Sequence, residues 1–231
     1  MIINSQITKK TNGNTDSVII KKTSSAPTYF RIRNGEWGYI PNRESNTQYY
    51  MCDFYKDDGT KFYVNFSDST DWRVLSRFKV GTMKSSGTHN VLCNSSADYP
   101  AGVCLEVDSN KYVGTGYSSV YNVASTNVWV FFQYPNFTAD VWYYICSRYY
   151  NGVLYISLYD DDGVLLGENH QTVNNIYNRD FNPRVGGINI SYFTFNGEVD
   201  LSNTVYEKDG TVLWGQLTDI TRTMGKIELL N

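Results

Sequence analysis

The sequence predicts an all-β chain, most of it one antiparallel β-sandwich. Three observations predict it. Apolar residues alternate with period two, as in WRVLSRFKV at 72–80 and VLYISLYD at 153–160, and helical spacing is nearly absent. Tyrosine reaches 20 residues and aromatics 16%, which suits strands because a Tyr ring covers a half-buried pleat while its hydroxyl stays wet. Asp-Gly and Asn-Gly pairs recur between the runs, and both residue types tolerate the positive φ of tight hairpin turns. A length of 231 residues with 41% hydrophobic content fits one large β domain, or a sandwich with a small appendage.

The elements follow in order. Residues 28–40 read TYFRIR-NG-EWGYI, and Asn34-Gly35 predicts a type I′ hairpin. QITKKT and SVIIKK around NGNTD make a weaker one. Residues 1–44 are therefore expected to form a small β-hairpin arm, with a boundary in PNRESNTQ and the sandwich over 45–231. Beyond it the runs YYMCDFY, KFYVNF, WRVLSRFKV, HNVLC, VCLEVD, NVWVFFQY, VWYYICSRYY, VLYISLYD, VLLGENH, ISYFTFN, EVDLSNTVYE and TVLWGQL read as strands. Asp58-Gly59, Asp162-Gly163 and Asp209-Gly210 mark tight hairpins, which directs the search for ligand loops elsewhere.

Charge narrows the function classes. The formal net charge is −3, and no broad basic surface suggests nucleic acid. Residues 1–44 carry seven Lys/Arg against three Asp/Glu (7 − 3 = +4), and the remainder carries 13 against 20 (13 − 20 = −7). A basic arm on an acidic body marks a docking segment; ordinary solvated strand faces are the competing explanation. No apolar run reaches the about 18 residues of a membrane helix. No export signal is legible, so Cys52, Cys93, Cys104 and Cys146 are expected as reduced thiols, with Cys93 and Cys104 the pair to check across a hairpin.

Residues 140–215 carry a family resemblance. DVWYYICSRYYNGVLYISLYDDDG resembles the central strands of concanavalin A-like, laminin G-like jelly rolls. PRVGGINISYFTFNGEVDLSNTVYEKDGTVLWG resembles the closing segment of that domain in bacteriophage tail and fibre proteins, through Phe195, Gly197, Val199, Asp200, Leu201, Asn203, Gly210 and Trp214. The resemblance is good over about 140–220, fair over 45–140 and absent over 1–44. It implies a jelly-roll sandwich in a virion protein, and it leaves the ligand open because this fold hosts many functions.

Glu198-Val199-Asp200 resembles the E-x-D-x-x-E strand of laminarinase-type glucanases, whose carboxylates share one face as nucleophile and general acid. Asn203 stands at the third position and cannot donate a catalytic proton, so a non-enzyme is expected. Asp160, Asp161 and Asp162 suggest calcium, but consecutive aspartates alternate faces; a turn is favoured over a structural calcium, and no cofactor is expected. His89 and His170 read as ordinary rather than catalytic residues. Three Tyr/Ser/Asn-rich loops, at 95–102, 114–122 and 174–182, are the candidate glycan sites. Tyr99, Tyr117, Tyr121 and Tyr177 would be sugar platforms, with Asn122 and Asn178 bonding hydroxyls.

The resulting expectation is a bacteriophage virion structural protein in a tail, fibre or head-decoration position, presenting its sandwich toward host-surface polysaccharide. A glucanase-type hydrolase and a ligand-free cement protein are the alternatives. It would be made in the host cytoplasm and carried in the virion, without membrane insertion, with homo-oligomerisation left open. Residues 1–44 would bind other virion proteins. Ile19, Phe30, Ile32 and Trp37 would be the apolar contacts, and Lys21, Lys22, Arg31 and Arg33 the steering charges.

Overall fold

A computed structural model describes residues 28–33, 38–40, 50–55, 62–66, 68–94, 102–118, 127–173, 180–185, 195 and 197–225. They contain strands and turns and no helix. The strands are β1 (Thr28–Arg33), β2 (Gly38–Ile40), β3 (Tyr50–Tyr55), β4 (Asp71–Val80), β5 (Thr88–Asn94), β6 (Val103–Asp108) and β7 (Tyr112–Ser118). They continue with β8 (Asn127–Gln133), β9 (Trp142–Tyr150), β10 (Val153–Tyr159), β11 (Leu165–Thr172), β12 (Pro183–Val185), β13 (Gly197–Lys208) and β14 (Thr211–Trp214).

These form two sheets. The first has the order β1-β3-β12-β5-β6-β7-β8. The second runs β11-β10-β9-β4-β13-β14, with β2 also on β13. All pairings are antiparallel except β1 with β3. The chain is an antiparallel jelly-roll β-sandwich.

Alternation builds the core. In β6, Val103, Leu105 and Val107 are buried in the common cluster, and in β4 so are Trp72, Val74, Phe78 and Val80. Burying a large side chain of this kind contributes about 1.5–3 kcal/mol. Trp72 stacks on Phe66 with centroids 4.7 Å apart, and Phe137 stacks on Tyr143 at 4.6 Å. Polar links also cross between the sheets: Thr115 on β7 donates to Ser147 on β9 at 2.8 Å, both fully buried, and Asn169 on β11 donates to the Phe131 carbonyl on β8 at 2.8 Å. Cys93, Cys104 and Cys146 are buried free thiols, and burial pushes the Cys146 thiol up to about 12.

The turns divide by type. Asp209 (φ 47°) and Gly210 (φ 76°) both take positive φ between β13 and β14, as a type I′ turn requires. At Asp160–Gly163, Asp160 Oδ1 accepts from the amides of Asp162 (3.1 Å) and Val164 (2.8 Å), while Asp161 turns to Arg77. The aspartate run is thus split between a turn and an ion pair.

Two sequence expectations need correction. The hairpin expected around Asn34-Gly35 does not form between its flanking strands, because β1 pairs with β3 in the first sheet and β2 pairs with β13 in the second. The signal was purely local, and each strand satisfies its backbone better on a distant ladder. KFYVNF contributes a single bridge, Val64 to Phe181, rather than a strand. The NGNTD hairpin and the boundary segment 41–48 lie outside the described residues.

Candidate functional site

The outer face of the first sheet carries a groove. The residues of β6 that alternate away from the core are Cys104, Glu106 and Asp108. Opposite them on β7 stand two glycines: Glu106 pairs with Gly114 and Cys104 with Gly116. The next strand continues both rows with Phe131 and Trp129. A Cβ at Gly116 would sit 2.5 Å from the Trp129 ring, so only glycine lets the indole lie across β7. A Cβ at Gly114 would meet Phe131 Cβ at 3.4 Å and Glu106 Cγ at 3.7 Å.

The groove has a volume of about 320 Å³ and is lined by Thr88, Glu106, Asp108, Tyr112, Gly114, Trp129 and Phe131. Phe131 is 52% exposed and Tyr112 37%, and their rings meet edge to face at 5.5 Å. Asp108 Oδ1 accepts from the amides of Asn110 and Tyr112, both at 2.8 Å, which fixes the turn beside the groove. Glu106 Oε2 is out of contact with solvent and has no hydrogen-bond partner. Burial, then the negative charge of Asp108, push the Glu106 carboxyl up to about 7, against the opposing pull of Lys84. Lys84 Nζ donates to the Thr88 carbonyl. His89 is fully buried, accepts from the Lys84 amide at 3.3 Å, and is driven down to about 3 by burial and Lys84, so it is neutral. An aromatic wall over a carboxyl-bearing floor can stack on the apolar face of a sugar ring and bond its hydroxyls.

The outer face of the second sheet is built differently. The residues directly opposite each other on β4 and β13 are Arg73 with Glu207, Arg77 with Asp200, and Lys79 with Glu198. All three are ion pairs: Arg73 binds Glu207, Arg77 binds Asp200 at 3.1 Å, and Lys79 binds Glu198 at 3.0 Å. Asp200 is fully buried. Its Oδ1 accepts from the Ser202 amide (3.1 Å) and hydroxyl (2.5 Å), and its Oδ2 accepts from the Asn203 amide group (2.9 Å). It therefore holds together the irregularity in β13 between Asp200 and Val205. Arg77 and Lys79 lie over the Trp142 ring at 4.2 and 5.1 Å.

A C-terminal strap covers the neighbouring part of this face. Arg73 donates to the carbonyls of Thr221 (3.0 Å) and Met224, Arg148 to that of Gly225, and the Gly225 amide donates to Tyr159 Oη at 2.8 Å. Met224 packs with Leu75, Tyr144 and Cys146. At Gly225 (φ +68°) a Cβ would lie 2.6 Å from Cys146 Sγ.

The sequence-derived site residues fall largely elsewhere. Tyr117 is in strand β7, at a register position opposite Val103 and Val128, because the expected loop at 114–122 is strand as far as Ser118. Tyr99, Tyr121, Asn122, Tyr177 and Asn178 lie outside the described residues. Phe30, Arg31, Ile32 and Arg33 are in β1, paired with Cys52, Asp53, Phe54 and Tyr55. Ile19, Lys21, Lys22 and Trp37 lie outside the described residues. The groove residues lie in strands, away from the Tyr/Ser/Asn-rich loops. Their signal was the G-x-G inside YVGTGYS, two glycines on one face of a strand, followed by W-x-F at the same period in NVWVFFQ.

No protein-family model matches the chain, and no curated protein matches it in sequence. Among solved structures it is similar to the CBM40 domain of a Ruminococcus gnavus IT-sialidase bound to α2,3-sialyllactose, at 9% identity and a TM-score of 0.41, over 57% of this chain and 73% of that one. It is similar to the mouse laminin α1 chain, domains LG4-5, at 13% identity and 0.45, over 67% of this chain and only 41% of that one. A heptameric SAP-like pentraxin from Limulus polyphemus gives 13% identity and 0.42, over 70% and 74% of the two chains. Likeness of this degree assigns neither a family nor a ligand; the fold rests on the strand order and register described above.

Proposed function

We propose that the protein is a non-enzymatic carbohydrate-binding sandwich, with the groove on the outer face of its first sheet as the sugar site. One observation carries this reading: exposed Phe131 and Tyr112, with Trp129, wall a groove whose floor holds the unpartnered Glu106 carboxyl oxygen. The carboxylates that resemble a glucanase motif are engaged in ion pairs on the opposite sheet, and Asn203 bonds Asp200 instead of supplying an acid. A panel of immobilised glycans followed by calorimetry tests this. Trp129→Ala and Phe131→Ala are expected to weaken any sugar bound by about tenfold or more, roughly 1.4 kcal/mol. Trp142→Ala, on the other face, is expected to leave binding unchanged. No released reducing sugar is expected. Equal binding by all variants would remove the groove from consideration.

The resemblance over 140–215 supports a finer reading, a bacteriophage virion structural protein that presents this sandwich to host-surface polysaccharide. Residues 1–44 would attach it to neighbouring virion proteins. The +4 charge of that segment supports this, as does the position of β1 at the end of the first sheet's strand order among the described residues, where a partner strand can add. Microscopy of intact particles with a labelled antibody is expected to place the protein on the tail, fibre or head surface. Particles without label would refute the virion assignment while leaving the sugar site untouched.

A further inference from the structure

We infer that the groove selects uncharged sugars and bars acidic ones, with Glu106 as the group that reads a ligand hydroxyl. This rests on the carbohydrate reading of the same groove and adds the class of sugar it takes. Two acids, Glu106 and Asp108, line the groove, and no Arg or Lys is among its described lining residues. An acidic sugar needs a cation or several N–H donors aimed at its carboxylate. Here it would meet like charge across a partly dry space, which is costly.

The partners of the two acids differ. Asp108 is occupied by two backbone amides of its own turn. Glu106 lines the groove, and its Oε2, shielded from solvent, bonds nothing among the described residues, so the fold leaves this carboxyl for a ligand O–H. The Trp129 and Phe131 rings stand on β8 across the glycine row, so a ring stacked there brings its hydroxyls toward β6.

The titratable groups around Glu106 come from several elements. Asp108 and the buried Cys104 thiol share its strand, and Lys84 precedes β5. On β5, His89 is held neutral. Tyr112 lines the groove from β7, and β8 contributes Trp129 and Phe131, neither of which titrates. The carboxyl changes state near pH 7. Protonated, it offers one O–H; ionised, it only accepts. A sugar hydroxyl both donates and accepts, so it is read in either state. A sugar carboxylate is tolerated only by the protonated form. Discrimination against acidic sugars should therefore sharpen as pH rises through neutrality.

The test is calorimetry with neutral oligosaccharides of glucose, galactose and N-acetylglucosamine, beside the same chains ending in a uronic or sialic acid, at pH 5.5 and pH 8. At pH 8 the wild-type protein is expected to favour the neutral chains by about tenfold or more, and by less at pH 5.5. Glu106→Gln keeps the shape and removes the charge. It is expected to bind the neutral sugar a few-fold more weakly, bring the acidic one to within about threefold of it and lose the pH dependence. Acidic chains binding the wild type as tightly as neutral ones at pH 8 would overturn the inference without any variant. So would an unchanged ratio in Glu106→Gln when Trp129→Ala abolishes binding, and in that case the carbohydrate reading stands. If no sugar of either kind binds the wild type, the carbohydrate reading fails and the inference fails with it.

Discussion

The two outer faces of the sandwich carry similar residue types to opposite ends. On the second sheet each of the three β4 cations faces its β13 carboxylate in register, and the strap's carbonyls take up further guanidinium donors. In the groove on the first sheet the two acids share β6, with Thr88 and Asn90 opposite them on β5 and Gly114 opposite Glu106 on β7, and one carboxyl oxygen is left without a partner. Charge that is matched within the fold holds the fold. Charge that is left unmatched beside exposed rings is available to something outside it. A motif such as E-V-D is therefore read best from what stands opposite it on the next strand.

Breaking a matched pair should have the largest effect. Asp200→Ala takes away one of the two carboxylates on Arg77, leaving Asp161, and releases the Ser202 and Asn203 donors, and it is expected to cost about 3–5 kcal/mol in urea unfolding. A loss under 1 kcal/mol would mean the second face is not held by its charges. Glu106→Gln should do the reverse. The native carboxyl titrates near 7 against 4.5 as the reference, so folding favours the protonated form. That preference is fully present below about pH 4.5 and is lost as pH rises through 7. The Gln variant should accordingly be more stable than wild type by about 3 kcal/mol at pH 8, with the gap closing toward pH 4.5. A pH-independent gap would show that burial at Glu106 is not what sets its proton affinity. The smallest effect belongs to the glycine floor. Gly116→Ala pushes on the Trp129 ring and is expected to cost about 1–3 kcal/mol. The shift of tryptophan fluorescence that should accompany it would be absent if the indole were free to swing away.

The sandwich was legible because its signals are repetitive. Alternation in WRVLSRFKV and VLYISLYD survives any local error, and Asp209-Gly210 behaves as turn chemistry requires. The pairing of β1 and β2 was not legible. Asn34-Gly35 gives a strong local hairpin signal, but no local rule tells a strand that its best ladder lies in a different sheet. The groove escaped for a related reason. Ligand loops were sought where Tyr, Ser and Asn cluster, whereas Glu106, Gly114, Gly116, Trp129 and Phe131 sit in three strands and converge only once the register is known.

The long strand β13 has a consequence for how the protein is made. It pairs with β4 on one side and with β2 and β14 on the other, so the middle of the second sheet cannot close until it exists. Arg77 and Asp200 are 123 residues apart in the chain. At a synthesis rate of about 5–20 residues per second, β4 emerges and waits roughly 6–25 s for its central neighbour. During that wait the edge of β4 that β13 will take stays unpaired, and Trp72, Val74 and Phe78 lack the cover of Val199, Leu201 and Tyr206. The nascent chain is thus most vulnerable to aggregation late in synthesis, and a ribosome stalled before β13 should yield a sticky product even though most of the sandwich has already been translated.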